Sequence, residues 1–435
     1  QEEITFHRSP DMSGIATING RLYLDGEDVA HAADRFGTPM YLYSGDSIVA
    51  GVGEIRESLG EQIEVYYSIK ANPAIGLCKL IRDAGVDGAE IASSGELVAA
   101  LRSGFDPSTI LFAGPGKTDD ELAHAIHTKI GQINVESQNE LNRVDAIAAK
   151  HETVQRIGIR VNPESDSLGQ GKIRTGGGAQ KFGIDESKVV NAIKLASELE
   201  HVEFVGLHTM LGSQVLNAEL MLETCKNALC MAARIGEAAK VQIKSLNFGG
   251  GLGVPHKDDD PVFDLKHFGK RLAEIISDAK QTPSLARLRC MIEPGRVLVS
   301  EHGLYVSRVI DVKESVGKSF AILDGGIHQA LLPITANSYR MSIANRAGIQ
   351  GGTPVLLGGP LCTSADQWRS EVTLPDIQIG DVVAMHNSGA YGLSASMNMF
   401  LSRGTPIEVL VRNGACSVIR ERSTPESMLD GQIIP

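Results

Sequence analysis

The chain has 435 residues, 22% of them charged and 42% hydrophobic, with a formal net charge of −12. That length can bury a sizeable core and predicts two domains, while the net charge argues against nucleic acid or an anionic membrane surface as partner. No stretch has the length and apolarity of a membrane span, and no basic region followed by an apolar run marks a secretory signal, so a cytoplasmic protein is expected.

Residues 1–36 contain Asn19-Gly20 and Asp25-Gly26, turn signals that bracket a short strand at Arg21–Leu24. A helix is predicted over Val29–Phe36, and Thr38–Tyr43 reads as a strand entry. From there to about residue 295, short apolar runs alternate with stretches of helical period. The runs are Val65–Ile69, Gly88–Ala92, Ile110–Ala113, Ile133–Val135, Arg156–Val161, Phe204–His208, Ile243–Phe248 and Arg289–Ile292. Helices are predicted between them, among others over Glu96–Ser103, Thr118–Thr128, Ser137–Lys150, Ser187–Ala196, Ala218–Ile235 and Leu265–Asp278. Eight strands with intervening helices are what an α/β (β/α)8 barrel requires; a doubly wound sheet is the alternative. The polar, glycine-rich run Gly169–Lys181 reads as a loop, either a cover for the site or a plain surface connection. After residue 296 the pattern changes to strands, at Gly303–Val312, Ser319–Asp324, Thr353–Gly358, Asp381–Met385 and Thr405–Arg412. The expected division is therefore a barrel over 37–295 and a mostly β domain built from 1–36 and 296–435.

Val65-Tyr66-Tyr67-Ser68-Ile69-Lys70-Ala71-Asn72-Pro73 stands out. Val, Tyr and Ile favour strands, and Asn-Pro ends them, which places Lys70 at the C-terminal end of a buried strand. Burying an ammonium is unfavourable unless it is paired or neutralised, and an amine so held suits attack on an aldehyde. The plainer reading is a solvated lysine just past a strand. Glu293, before Pro294-Gly295-Arg296, is likewise either a site acid or a solvated turn residue. The run Gly249-Gly250-Gly251 follows a strand, where glycines let backbone amides close on an anion; its spacing differs from the dinucleotide fingerprint. Six cysteines, at 78, 225, 230, 290, 362 and 416, include no CxxC pair. Neither a metal site nor a redox dithiol is expected, and mostly buried, reduced thiols are.

The motif YYSIKAN resembles the cofactor-lysine motif of the fold-type III pyridoxal-phosphate decarboxylases, the family of diaminopimelate, ornithine and arginine decarboxylases. Ser93–Leu97, Arg160-Val161-Asn162-Pro163, Lys181-Phe182-Gly183, Gly212-Ser213-Gln214, the glycine run, Glu293–Arg296, Cys362 and Gly389-Ala390-Tyr391-Gly392 match in order across nearly the whole chain. The resemblance implies pyridoxal 5'-phosphate as cofactor, carried by Lys70, with Glu293 at its ring nitrogen. It implies a phosphate cradle of Gly249, Gly250, Gly251, Gly295 and Ser213, with Arg296 on phosphate or substrate carboxylate. Tyr391 resembles the tyrosine that reaches the cofactor from the β domain, and Arg160 the barrel arginine near the cofactor hydroxyl. Glu90 stands where diaminopimelate decarboxylases usually carry Asp. Glu90 and Arg160 have a structural ion pair as alternative, and His208 a core role. Cys362 resembles the cysteine that enters from a partner subunit to protonate Cα, which implies a homodimer with shared sites; the alternative is a small buried hydrophobe.

Departures from the family concern the substrate. Met210 replaces the histidine that stacks on the cofactor, Thr363 replaces the glutamate that pairs with the distal ammonium, and Leu332 stands at the position of the arginine that meets a distal carboxylate. Losing both charges should reject a zwitterionic tail. The pattern resembles the biosynthetic branch of the family, including the butirosin-pathway decarboxylase of a carrier-protein-tethered glutamyl unit and siderophore-linked relatives. The expected activity is decarboxylation of an amino acid or amino-acid conjugate in a specialised pathway. The alternatives are a decarboxylase of free diaminopimelate or another basic amino acid, a racemase, and a non-enzymatic cofactor-binding protein.

Overall fold

The structure, a computed structural model, describes residues 14–164, 178–210, 212–257, 259–336, 340–349, 351–368 and 370–435. These fall into two compact units, one within Gln1–Gly51, His256–Asp259 and Leu298–Pro435, the other within Val52–Pro255 and Asp260–Val297.

The second unit is the barrel. Its strands are β1 (Ile63–Ser68), β2 (Gly88–Ile91), β3 (Ile110–Phe112), β4 (Gln132–Val135), β5 (Gln155–Asn162), β6 (Val202–His208), β7 (Ser245–Asn247) and β8 (Arg289–Ile292). Each pairs in parallel with the next, and β8 pairs with β1, so the sheet closes; the two-residue strand Ile184–Asp185 adds to β5. The predicted strands lie within two residues of these. Helices follow the predicted positions to within two residues at either end, except Ala218–Ala239, which runs four residues past its predicted end. Two further helices, Gly45–Leu59 and Ile75–Asp83, have no predicted bounds; the second lies between the first two strand runs, where a helix is expected. Most of the Gly169–Lys181 loop lies outside the described residues.

Side-chain alternation identifies the barrel interior. Tyr66, Leu111 and Met291 form one buried cluster although β1 and β3 are not neighbours, so they meet across the inside. Register carries that face around the sheet. Met291 pairs with Asn247, Asn247 with His208, and His208 with Arg160; Leu111 pairs with Glu90, and Glu90 with Ser68. Ser68, Glu90, Arg160, His208 and Asn247 therefore all face inward near the C-terminal ends of their strands.

The other unit is mostly β. Asn19-Gly20 and Asp25-Gly26 all have positive φ, as type I′ hairpin turns require, and they connect Ile15–Ile18, Arg21–Leu24 and Glu27–Asp28. The long strand Gly303–Ser315 pairs with Lys318–Leu323 along its second half, and with Met40–Ser44 and Val382–Met385 along its first. Leu22, Leu24, Val29, Met40, Leu42, Leu304, Val306 and Val409 share one apolar core. The predicted strand at Thr38–Tyr43 thus belongs to this sheet, between Gly303–Ser315 and Ile407–Arg412. The division between units falls at Gly51/Val52 and Val297/Leu298, not at 36/37 and 295/296, because backbone pairing of Met40–Ser44 holds it outside the barrel.

Candidate active site

Lys70 lies two residues beyond β1, in the short 3-10 turn Ile69–Ala71. Its Nζ donates to Glu90 Oε2 at 2.9 Å and Oε1 at 3.1 Å, and Ser68 Oγ donates to the same Oε2 at 2.5 Å. The Glu90 side chain is 2% exposed and that of Lys70 36%, so a buried anion holds an ammonium that still reaches solvent. The turn is held from below, since Tyr67 donates its hydroxyl to Asn72 O and Ser68 N donates to Pro294 O.

Glu293 follows β8 and continues the inward face of Met291. Asn247 Nδ2 donates to its Oε1 at 2.6 Å, and His208 Nε2 stands 3.4 Å from its Oε2. Burial pushes the Glu293 carboxyl up, but His208, Lys70 and the Asn247 amide outweigh it and hold it below the ordinary carboxylate value. Among the described residues, the long 3.4 Å approach to Glu293 is the polar contact of the buried His208 ring, and neither ring nitrogen has a well-formed hydrogen bond. Glu96 behaves oppositely. Burial pushes its carboxyl up to about 7, the Ala92 amide opposes that, and the Glu90 charge adds to it.

The glycine run folds tightly against its neighbours. Gly249 and Gly251 have φ of +73° and +118°, and an added Cβ would come within 2.5 Å of Thr209 O at Gly249 and 2.6 Å of Glu293 O at Gly250. Only glycine allows that approach. Among the described residues, nothing accepts from the amides of Gly250 and Gly251. Val215 N donates to Gly251 O and Gly253 N to Val215 O, which sets Gly212 and Ser213 beside the run. Met210 Sδ would lie 3.0 Å from a Cβ on Gly249. Gly295 packs on Ser68 and Ala71, and Arg296 opens the short helix Arg296–Val299.

These residues fit pyridoxal 5'-phosphate. A held but accessible amine suits its aldehyde, a buried ionised carboxylate suits its ring nitrogen, and the amides of the glycine run suit its phosphate. Among the described residues no group of His, Cys, Asp or Glu is arranged to hold a metal ion, and no helix is long and apolar enough to cross a membrane.

Glu90 and Arg160 each form an ion pair, but with other residues and not with one another. Glu90 carries Lys70, while Arg160 NH1 donates to Glu136 Oε1 at 3.0 Å and its guanidinium lies 4.5 Å over the Phe182 ring. Glu136 was missed. It follows a strand at the same position relative to the barrel end as Glu293, and that signal was available.

In the β unit, Cys362 is exposed, as is Cys230; Cys78, Cys225 and Cys290 are buried, so only half of the thiols are. Leu332 is 40% exposed, on the helix Ile327–Ala336. The buried Asp366 carboxylate accepts from Ile327 N and from Leu361 N, both at 2.8 Å, and so ties the loop of Cys362 and Thr363 to the start of the Leu332 helix. Tyr391 has a φ of +54°.

A family model described as pyridoxal-dependent decarboxylase, pyridoxal binding domain, matches residues 46–300. The chain is 35% identical to the L-glutamyl-[BtrI acyl-carrier protein] decarboxylase of Niallia circulans, covering 94% of this chain and 97% of that one. It is 34% identical to the diaminopimelate decarboxylase of Methanothermobacter thermautotrophicus, covering 96% of each. The crystal structure of diaminopimelate decarboxylase from M. jannaschii in complex with L-lysine superposes with a TM-score of 0.90 at 28% identity, over 97% of this chain and 98% of that one.

Proposed function

Because the chain belongs to the pyridoxal-dependent decarboxylases and is a carboxy-lyase that uses pyridoxal 5'-phosphate, we propose that it removes the α-carboxylate of an amino-acid conjugate whose distal end carries no free charge, such as a carrier-protein-tethered aminoacyl unit. The carrying observation is the uncharged pair Leu332 and Thr363, on two segments joined by Asp366. A distal ammonium or carboxylate finds no partner in either side chain, and an unpaired charge is unfavourable to bury.

The cofactor, when bound, supplies an aldehyde for the substrate amine and a ring that takes up the electrons left when CO₂ departs. Lys70 would hold the cofactor through its ε-amine, which Glu90 orients and which stays within reach of solvent. Glu293, held ionised, would stand at the ring nitrogen and favour its protonated form. Arg160 and Met210 would lie against the ring and its hydroxyl, and Gly249, Gly250, Gly251, Ser213 and Gly295 would hold the phosphate by backbone and hydroxyl donors. Arg296 and Tyr391 bind phosphate or substrate carboxylate. Cys362 of a second copy would hold the proton destined for Cα, a role that requires a homodimer.

Free diaminopimelate is the second reading, favoured by several relatives of that activity at 29–34% identity. A CO₂-release screen on cofactor-loaded protein separates the two. It compares free diaminopimelate, ornithine, lysine, arginine and glutamate with carrier-tethered glutamate and citryl-amino-acid conjugates. Turnover of a conjugate alone supports the proposal, and rapid turnover of free diaminopimelate replaces it.

A further inference from the structure

Glu136 follows β4, and nothing in the motif set gives it a role. Its side chain is 2% exposed, and its carboxylate joins three segments. Oε1 accepts from Arg160 NH1 at 3.0 Å and from Gly114 N, after β3, at 2.8 Å; Oε2 accepts from Gly183 N at 3.0 Å. Phe182, next to Gly183, places its ring against the Arg160 guanidinium. Arg160 is therefore gripped at one edge by the carboxylate and on one face by the ring. Its remaining N–H groups donate to no acceptor among the described residues. The neighbouring Glu140 does not compete for Arg160, because Lys117 takes its charge at 2.7 Å.

We propose that Glu136 is the positioning residue of the cofactor-facing arginine: it orients Arg160 and locks the Phe182-Gly183 turn against it, leaving the free N–H groups turned to the cofactor. This rests on the reading of Arg160 as a cofactor contact. A carboxylate is needed because both oxygens are occupied. In E136Q the amide can keep Arg160 or Gly183 as donor, but it sets its own N–H₂ against the other. Fixing a guanidinium in one orientation matters because its donors form a rigid planar fork.

The test titrates cofactor-free protein with pyridoxal 5'-phosphate and follows the visible absorbance band and its pH dependence, for wild type, E136Q, E136D, R160A and E136Q/R160A. Melting temperatures are recorded alongside. E136Q and R160A are each expected to weaken cofactor binding on the order of tenfold and to shift the pH dependence of the band. E136D should be intermediate, and the double variant should bind no more weakly than R160A. Wild-type affinity and spectrum in E136Q, with weak binding in R160A, overturn the role of Glu136 and leave Arg160 as a contact. Wild-type affinity in R160A overturns both. Fully additive losses show that Glu136 does not act through Arg160. If E136Q does not fold, E136D decides by the same criteria.

Discussion

The Lys70 ammonium and the Glu90 carboxylate lie 2.9 Å apart, with Ser68 bonded to the same carboxylate oxygen. The pair holds the amine at the barrel mouth without burying it fully. Replacing it in K70A should remove covalent cofactor attachment and lower kcat at least about 10³-fold. The protein should remain folded, because the turn is held by backbone and Tyr67 contacts that do not involve the ammonium. Absorbance of the loaded protein and CO₂ release check both parts.

Glu293 is expected to act on turnover more than on cofactor retention. E293Q preserves size and the Asn247 neighbourhood but cannot supply the charge, so kcat should fall about 10²- to 10³-fold while cofactor affinity changes less. Its lowered pKa also sets an acid limit. The folded state keeps this group ionised below the ordinary carboxylate value, so its contribution to stability is present above that value and is lost as pH falls through the folded pKa. Melting temperature should drop less steeply with acid in E293Q than in wild type.

Glu96 predicts the reverse slope. Its carboxyl is pushed up to about 7 by burial, so between the ordinary carboxylate value and about 7 the folded state binds more protons than the unfolded chain. Stability from this group is greatest in acid and falls as pH rises through that window. E96Q, which can still accept from the Ala92 amide, should gain in melting temperature relative to wild type at pH 8 and not at pH 4.

Asp366 is expected to be a stability residue in the β unit. D366A leaves the amides of Ile327 and Leu361 without their acceptor in a buried site, with an expected loss of about 2–4 kcal/mol in denaturant unfolding. D366N should lose less, since one amide keeps its partner.

Leu332 and Thr363 are expected to set the substrate. L332R/T363E restores a cation and an anion on the two segments that Asp366 joins, and its ratio of kcat/KM for free diaminopimelate over a tethered substrate should rise at least about tenfold. An unchanged ratio removes these two positions from the specificity argument.

Local pattern sufficed where an element is defined by its own residues. Arg289–Ile292 is a buried strand between turns, and Val29–Phe36 has an N-cap, Asp28, and a helical apolar stripe; both elements match their predicted bounds. Gly45–Leu59 carries three glycines, which lower its helix propensity. Its burial supplies what propensity does not, as buried Ile48, Val52 and Ile55 recur on one face.

By itself, the sequence determined the barrel, through its alternation of strands and helices, and carried the cofactor chemistry only through the order of motifs it shares with the pyridoxal-phosphate decarboxylases. A lysine after an apolar strand, an acid after the eighth strand and a glycine run after the seventh each allow a plain turn reading when taken alone. Tertiary structure alone decided the pairings. Lys70 meets Glu90 twenty residues on, Arg160 meets Glu136 rather than Glu90, and Met40–Ser44 joins a sheet whose other strands lie hundreds of residues away. A charge or a strand edge finds its partner through closure of the sheet, and no local periodicity encodes which inward-facing residue stands across the barrel mouth.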